Sequence, residues 1–119
     1  MGNFSLELTY RQPMHVISKR PFDHAAKKYP NDRLALMEMY RVLNSVEFKT
    51  PEELRAVFPS LDNFKYIDRW WVLDVGGNNL RMLAFIQFVN GRIYIKHIVN
   101  HADYDKLTVK YRKAGKNRR

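Results

Sequence analysis

The dipeptide Asn90-Gly91 constrains this chain more than any other feature, because it stands between two runs of β-branched and aromatic residues, 80–89 and 92–99. A two-residue type I′ turn needs φ > 0 at both central positions, which Asn and Gly tolerate and branched residues do not. Such a turn sets the register of the hairpin. Val89 then faces Arg92, Gln87 faces Tyr94, Phe85 faces Lys96, Leu83 faces Ile98 and Arg81 faces Asn100. A third run, 70–75, precedes Gly76-Gly77-Asn78-Asn79. Closing that hairpin around Gly77-Asn78 puts Asp74 opposite Arg81, Val72 opposite Leu83 and Trp70 opposite Phe85. The three runs form an antiparallel meander.

Directly opposed residues share a face, and a slip of one residue would exchange the two sets. One face carries Met82, Ala84, Ile86 and Phe88 with Ile93, Ile95, His97 and Val99. It is nearly all apolar and packs on helices, which makes His97 a core histidine. The other face combines Arg81, Gln87, Tyr94 and Lys96 with Trp70 and Phe85. Cations interleaved with rings suit a polyanion whose bases can stack. The plain alternative is a half-solvated sheet face with cross-strand ion pairs.

A chain of 119 residues with 45% hydrophobic and 13% aromatic content supports one folded domain with a single core. It contains no apolar run of membrane-spanning length, and its first residues lack the basic start and apolar stretch of a signal peptide. Zero Cys rules out disulfides and thiolate metal sites, and fits a reducing cytoplasm. The net charge of +9 is unevenly placed. Residues 1–105 carry fourteen Lys and Arg against twelve Asp and Glu, whereas 106–119 carry seven and no acid. A basic C-terminal arm is the electrostatic footprint of a nucleic-acid partner. The alternatives are a solubilising tail or an anionic membrane surface, and the arm has few apolar residues to insert into the latter.

Residues 1–13 read as a leader or extension, 14–106 as the domain and 107–119 as the arm. His15-Val16-Ile17 has the composition of a short first strand. Phe22, Ala25, Ala26 and Tyr29 fall on one face of a two-turn helix that Pro30 stops. Asn31 or Asp32 caps the next, whose apolar face is Leu36, Met39, Tyr40 and Leu43. Thr50-Pro51-Glu52-Glu53 opens a third with a capping box, ending near Phe58-Pro59. Residues 60–68 connect to the sheet with Phe64 and Tyr66 as anchors. Asn100 caps a short closing helix. The expected fold is α+β: N-terminal helices on one face of a small antiparallel sheet, then a short C-terminal helix and basic tail.

For chemistry, the four histidines show no metal-binding spacing, Asp103 and Asp105 lack a calcium loop, and Gly76-Gly77 lies in a hairpin rather than before a helix. No metal or other cofactor is expected. What remains is Arg81, Lys96, His101 and Tyr104 beside the polar sheet face. Cleavage of RNA by its own 2′-OH needs a base, an acid and cations for the charged phosphorane. Histidine titrates in the right range for either proton role, tyrosine can stack or donate, and arginine can clamp a phosphate bidentately. Each residue also has a structural role open to it. Arg81 can pair with Asp74, His101 can cap the closing helix, Tyr104 can be an edge-of-core ring, and Lys96 can be a solvated sheet residue.

The segment LRMLAFIQFVNGRIYIKHIVNHADYDK, with FPSLDNFKYIDRWWVLDVGGNNLR before it, resembles the HigB toxins of type II toxin–antitoxin systems within the RelE-like superfamily. The resemblance runs from Met14 to about Lys106, and GGN-x-LR and HADYD are its specific parts. It implies a bacterial, cytoplasmic toxin that cleaves mRNA at the ribosome. It also implies a HigA-like helix-turn-helix antitoxin through which operator DNA is met only indirectly. By the same resemblance, Arg81 matches the arginine that contacts the scissile phosphate, and His101 and Tyr104 match the acid–base and stacking residues. RelE has a lysine pair where this chain has Val72 and Asp74, so the general base is unassigned, with Lys65, Arg69 or Lys96 as substitutes. RNA contacts are expected from Lys65, Arg69, Tyr94, Lys96, Lys106, Lys110 and Arg112. A different class of protein, a non-catalytic module that blocks translation by occupying RNA or the ribosome, would share the same basic and aromatic face. A third reading is a subunit whose basic surface serves only an acidic protein.

Overall fold

The computed structural model describes residues 15–117, so the leader expected over 1–13 lies outside the described residues. The short first strand is β1 (His15–Val16), followed by α1 (Arg20–Lys28), a 3₁₀ turn (Pro30–Asp32) and α2 (Arg33–Leu43). Then come α3 (Pro51–Val57), β2 (Asp62–Asn63), β3 (Trp70–Val75), β4 (Leu80–Gln87), β5 (Arg92–Asn100) and α4 (His101–Asn117). The fold is α+β, as expected. The strand order is β1-β5-β4-β3-β2, and the β1–β5 edge pair is parallel, so the sheet is mixed rather than wholly antiparallel. No helix among the described residues is long and apolar enough to cross a membrane.

The helix signals act locally. Pro21 presets φ in the first turn of α1, whose Phe22, Ala25 and Ala26 are buried. Its last turn places Lys27 and Lys28 at the negative end of the helix dipole. Thr50 Oγ1 accepts from Glu53 N at 3.2 Å, the expected cap of α3. The reciprocal bond differs from the expected box, because Glu53 Oε1 accepts from Lys49 N, one residue before the cap. Asp32 makes no side-chain cap on α2. Its buried carboxylate accepts instead from Asn79 Nδ2 at 3.1 Å, tying the helix start to the β3–β4 turn.

Gly76 makes that tie possible. It has φ +63°, and a Cβ there would lie 2.5 Å from Asp32 Oδ1, whereas a Cβ on Gly77, also at φ +63°, would meet nothing within 4 Å. Both Gly→Ala changes carry the left-handed cost of about 1–2 kcal/mol. Gly76→Ala is expected to lose about 1 kcal/mol more by breaking the Asp32–Asn79 bond, a difference that parallel urea titrations of the two variants would read.

The main core lies between the sheet and α1–α3, built on Phe22, Leu36, Leu43, Leu54, Leu73, Met82 and Ile93. Burial of this kind is worth about 1.5–3 kcal/mol per large side chain and dominates the fold's stability. A smaller cluster, Phe64, Val72 and Leu83, sits on the opposite face under Tyr104, Leu107 and Tyr111 of α4. The sheet face expected to be open to RNA is therefore partly roofed. The closing helix is 17 residues long and takes in most of the segment expected as a free arm.

The first hairpin has the expected register, with Asp74 opposite Arg81, Val72 opposite Leu83 and Trp70 opposite Phe85. The second does not. Asn90 keeps φ < 0 and only Gly91 is left-handed, at φ +67°, so the connection runs over four residues, 88–91, with Gly91 N bonded to Phe88 O at 3.3 Å. Gln87 faces Arg92 and Phe85 faces Tyr94, a two-residue shift that preserves the faces. A bulge then falls opposite Leu83 and Ala84, which face His97 and Ile95 and leave Lys96 as the extra residue. One inserted residue exchanges the faces beyond it. His97 therefore leaves the main core for the α4 side, Ile98 rather than Val99 stands opposite Met82, and Arg81 faces Val99 rather than Asn100.

Candidate active site

Three elements meet at one end of the sheet: the β3–β4 turn, the start of β4, and the β5–α4 junction. Asn100 Oδ1 accepts from Asp103 N at 2.9 Å and starts α4 there, as its cap. His101 and Tyr104, three apart, consequently lie on one helical face. His101 Nε2 lies 2.6 Å from the carbonyl oxygen of Asn78. A carbonyl only accepts, so Nε2 carries the proton, and in the neutral ring Nδ1 is the lone-pair nitrogen. The turn thus selects the tautomer.

Arg81 is the first residue after Leu80 on β4, and its guanidinium lies over the Tyr104 ring, 4.9 Å from the centroid. Arg81 Nε is 3.3 Å from Asp74 Oδ1, and both side chains are about one-third exposed (34% and 30%). The ion pair expected across the hairpin is present. It is a contact of charges rather than an aligned hydrogen bond, because Arg81 Nε is buried without a hydrogen-bond partner. Burial raises the Tyr104 pKa, with the Arg81 charge pulling the other way. Its hydroxyl therefore keeps its proton at neutral pH and can donate.

The structure brings Arg81, His101 and Tyr104 together and holds the proposed substitutes for the missing lysine pair elsewhere. Lys65 lies over the Tyr66 ring at 5.6 Å in the β2–β3 connection. Arg69, left-handed at φ +66°, pairs with Asp68 at the start of β3, 3.7 Å away and well exposed. Lys96 sits on the bulge, with Nζ 5.8 Å from the Trp70 ring and 6.0 Å from Tyr94. On α4, Lys106 pairs with Asp103 at 4.0 Å, and Lys110 and Arg112 are exposed. Among the described residues no group of three or more His, Cys, Asp and Glu is placed to hold a metal ion.

Sequence reasoning missed Asn78 and His97. Asn78, left-handed at φ +85°, offers the carbonyl that orients His101, and Asn next to Gly in a turn was the available signal. His97 Nε2 is 2.8 Å from Tyr111 Oη, and its ring also lies 6.4 Å from Trp70, fastening α4 to the sheet. Burial first, then the charges of Lys110 and Lys96, hold its pKa below the usual histidine value. The unfolded chain therefore binds this proton more readily than the folded one. Stability from this site is complete above about pH 6.5 and is lost as pH falls through that unfolded value toward the lowered folded one. Thermal melts stepped from about pH 7.5 to about pH 5.5 should show the loss, and His97→Gln should flatten it.

With this geometry in view, comparison with known proteins is specific. The family model for HigB toxin, the RelE-like toxic component of a toxin–antitoxin system, matches residues 32–107. An mRNA interferase HigB of Escherichia coli O6:H1 (strain CFT073) is 64% identical over 99 residues, covering 83% of this chain and 96% of that protein. The mRNA interferase toxin HigB of Escherichia coli K12 is 43% identical over 103 residues, covering 87% of this chain and 99% of that one. The mRNA interferase HigB of Shigella flexneri matches to the same extent. With its α+β fold and with the match extending through the α4 start that carries His101 and Tyr104, the chain belongs to the HigB family of RelE-like toxins, the toxic partners of antitoxins.

Proposed function

We propose that this toxin is an endoribonuclease that cuts mRNA on the ribosome without a metal, using Arg81, His101 and Tyr104. Support for mRNA as the substrate comes from the similar E. coli proteins, which are named mRNA interferases. The observation that carries the site is Arg81, whose guanidinium lies over the Tyr104 ring while its side chain stays one-third exposed. The exposed part of the guanidinium is free to meet phosphate oxygens, while its Nε side stays against Asp74.

In this reading the 2′-OH attacks the adjacent phosphorus and the 5′ oxygen leaves. His101, oriented by Asn78, accepts the 2′-OH proton at Nδ1 in its neutral form, or as the imidazolium protonates the leaving oxygen. Tyr104 stacks on a base or donates its hydroxyl proton, and Arg81 stabilises the phosphorane. Lys65, Arg69, Tyr94, Lys96, Lys106, Lys110 and Arg112 contact ribosomal and messenger RNA through salt-sensitive interactions. Residues 14–106 are the toxin domain and 107–119 its basic arm, which α4 takes in as far as Asn117. The partner is a HigA-like helix-turn-helix antitoxin that alone meets operator DNA, and the compartment is the bacterial cytoplasm.

The test is induced expression of wild type and His101→Ala at equal protein level, with growth followed and mRNA 5′ ends mapped. Wild type should arrest growth with discrete cuts in register with the reading frame, and His101→Ala should do neither. Arrest without cuts would replace cleavage by occupancy of the ribosome. Absence of arrest from folded protein would overturn the reading.

A further inference from the structure

Phe85 and Tyr94 are cross-strand partners with ring centroids 5.6 Å apart and planes tilted by only 31°. Both are half-buried. Trp70, on the other side of Phe85, is occupied by Tyr111 at 5.3 Å and Phe64 at 6.1 Å, so α4 covers that ring. Lys96 spans the row, its Nζ lying over both Trp70 and Tyr94. The next pair on this face is Gln87 with Arg92, and the Arg92 side chain is exposed. Lys110 approaches from α4, close enough for its charge to act on His97.

We propose that Phe85 and Tyr94, flanked by Lys96 and Arg92, form a stacking platform for unpaired RNA bases next to the cut. Two tilted rings in a cationic surround offer π-faces to bases and charge to the flanking phosphates, a sequence-tolerant mode of binding single strands. The platform is four residues along β4 from Arg81, or about 13 Å. That span places the stacked base a short reach along one strand from the scissile phosphate. The platform rests on the nuclease reading for its role, and on its own geometry for RNA binding.

Binding to an uncleavable single strand separates the two. The probe is a labelled 2′-O-methyl RNA of about 12 nucleotides, within the usual site size, together with copies carrying one abasic position each. Wild type should bind in a salt-dependent way, with one or two abasic positions weakening it. Tyr94→Leu, which keeps the apolar cross-strand contact, should lower affinity for the intact strand between about 5- and about 150-fold and erase the abasic effect. Tyr94→Phe should restore both. Lys96→Ala should reduce the slope of log affinity against log salt by about 0.7.

If Tyr94→Leu and Phe85→Leu bind like wild type while melting as folded proteins, the pair is only a cross-strand contact and the proposal falls. Failure of wild type to bind the strand also overturns it, as does loss of antitoxin binding in Tyr94→Leu with RNA binding unchanged. Tyr94-dependent binding in a protein that cuts no message would leave the platform standing and remove the nuclease reading.

Discussion

Arg81→Ala is expected to slow ribosome-dependent message cleavage by about 10²- to 10³-fold, the usual loss when one donor to a developing oxyanion is removed. The guanidinium lies at the turn end of the sheet, one-third exposed and over the Tyr104 ring. Arg81→Lys should recover only a small part of the rate. An ammonium supplies charge but not the planar fork that meets two phosphate oxygens and lies over Tyr104. The fold should tolerate both changes, because the Asp74 pair is about one-third exposed and such pairs contribute about 0–1 kcal/mol. Rates from single-turnover cleavage on programmed ribosomes, with antitoxin binding as the folding control, give the answer. A rate within twofold of wild type for Arg81→Ala would remove Arg81 from the chemistry.

Leu83→Ala should cost about 2–5 kcal/mol of stability, for the lost transfer free energy and the cavity left behind. Leu83 is fully buried at 0% exposure and, with Phe64 and Val72, forms the patch on which Tyr104, Leu107 and Tyr111 of α4 rest. That patch is small. Met82, its neighbour in sequence, is equally buried but points into the main core on the other face. Met82→Ala should cost a similar free energy in urea titrations while amides of α4 keep their hydrogen-exchange protection. Leu83→Ala should lose that protection first, and cleavage per folded molecule with it, because α4 carries His101 and Tyr104. Equal protection of α4 in the two variants would contradict this division of labour.

These outcomes bear on how the site was assembled. The register of the first hairpin could be read from residues 70–85, because a glycine-rich turn and alternating apolar positions admit few pairings. Arg81 and Asp74 were thereby placed opposite one another, as found. Caps were equally readable, since Thr50 and Asn100 act on backbone donors three residues away. The turn at Asn90-Gly91 was not. Type I′ geometry is a preference of the dipeptide alone, and the pairing of Gln87 with Arg92 left Val89 and Asn90 outside the ladder. The bulge at Lys96 carries no local signature either, and it alone moved His97 from one face to the other.

By itself, the amino-acid sequence determined the elements whose causes are local: the helix starts, the Pro30 stop, the glycine-permitted turns, and the α+β order they imply. It also concentrated basic charge near the C-terminus and offered Arg81, His101 and Tyr104 as chemistry-bearing residues. Tertiary structure decided everything that depends on contacts between distant segments. The Asp32 carboxylate is held by Asn79 instead of capping its own helix. His101 receives its tautomer from a carbonyl 23 residues earlier. The basic segment is helical because Tyr104, Leu107 and Tyr111 find Phe64, Val72 and Leu83 across the sheet. The physical reason is range: a cap or a turn closes within one to four residues, whereas register, bulges and helix docking are settled by side chains packing across strands.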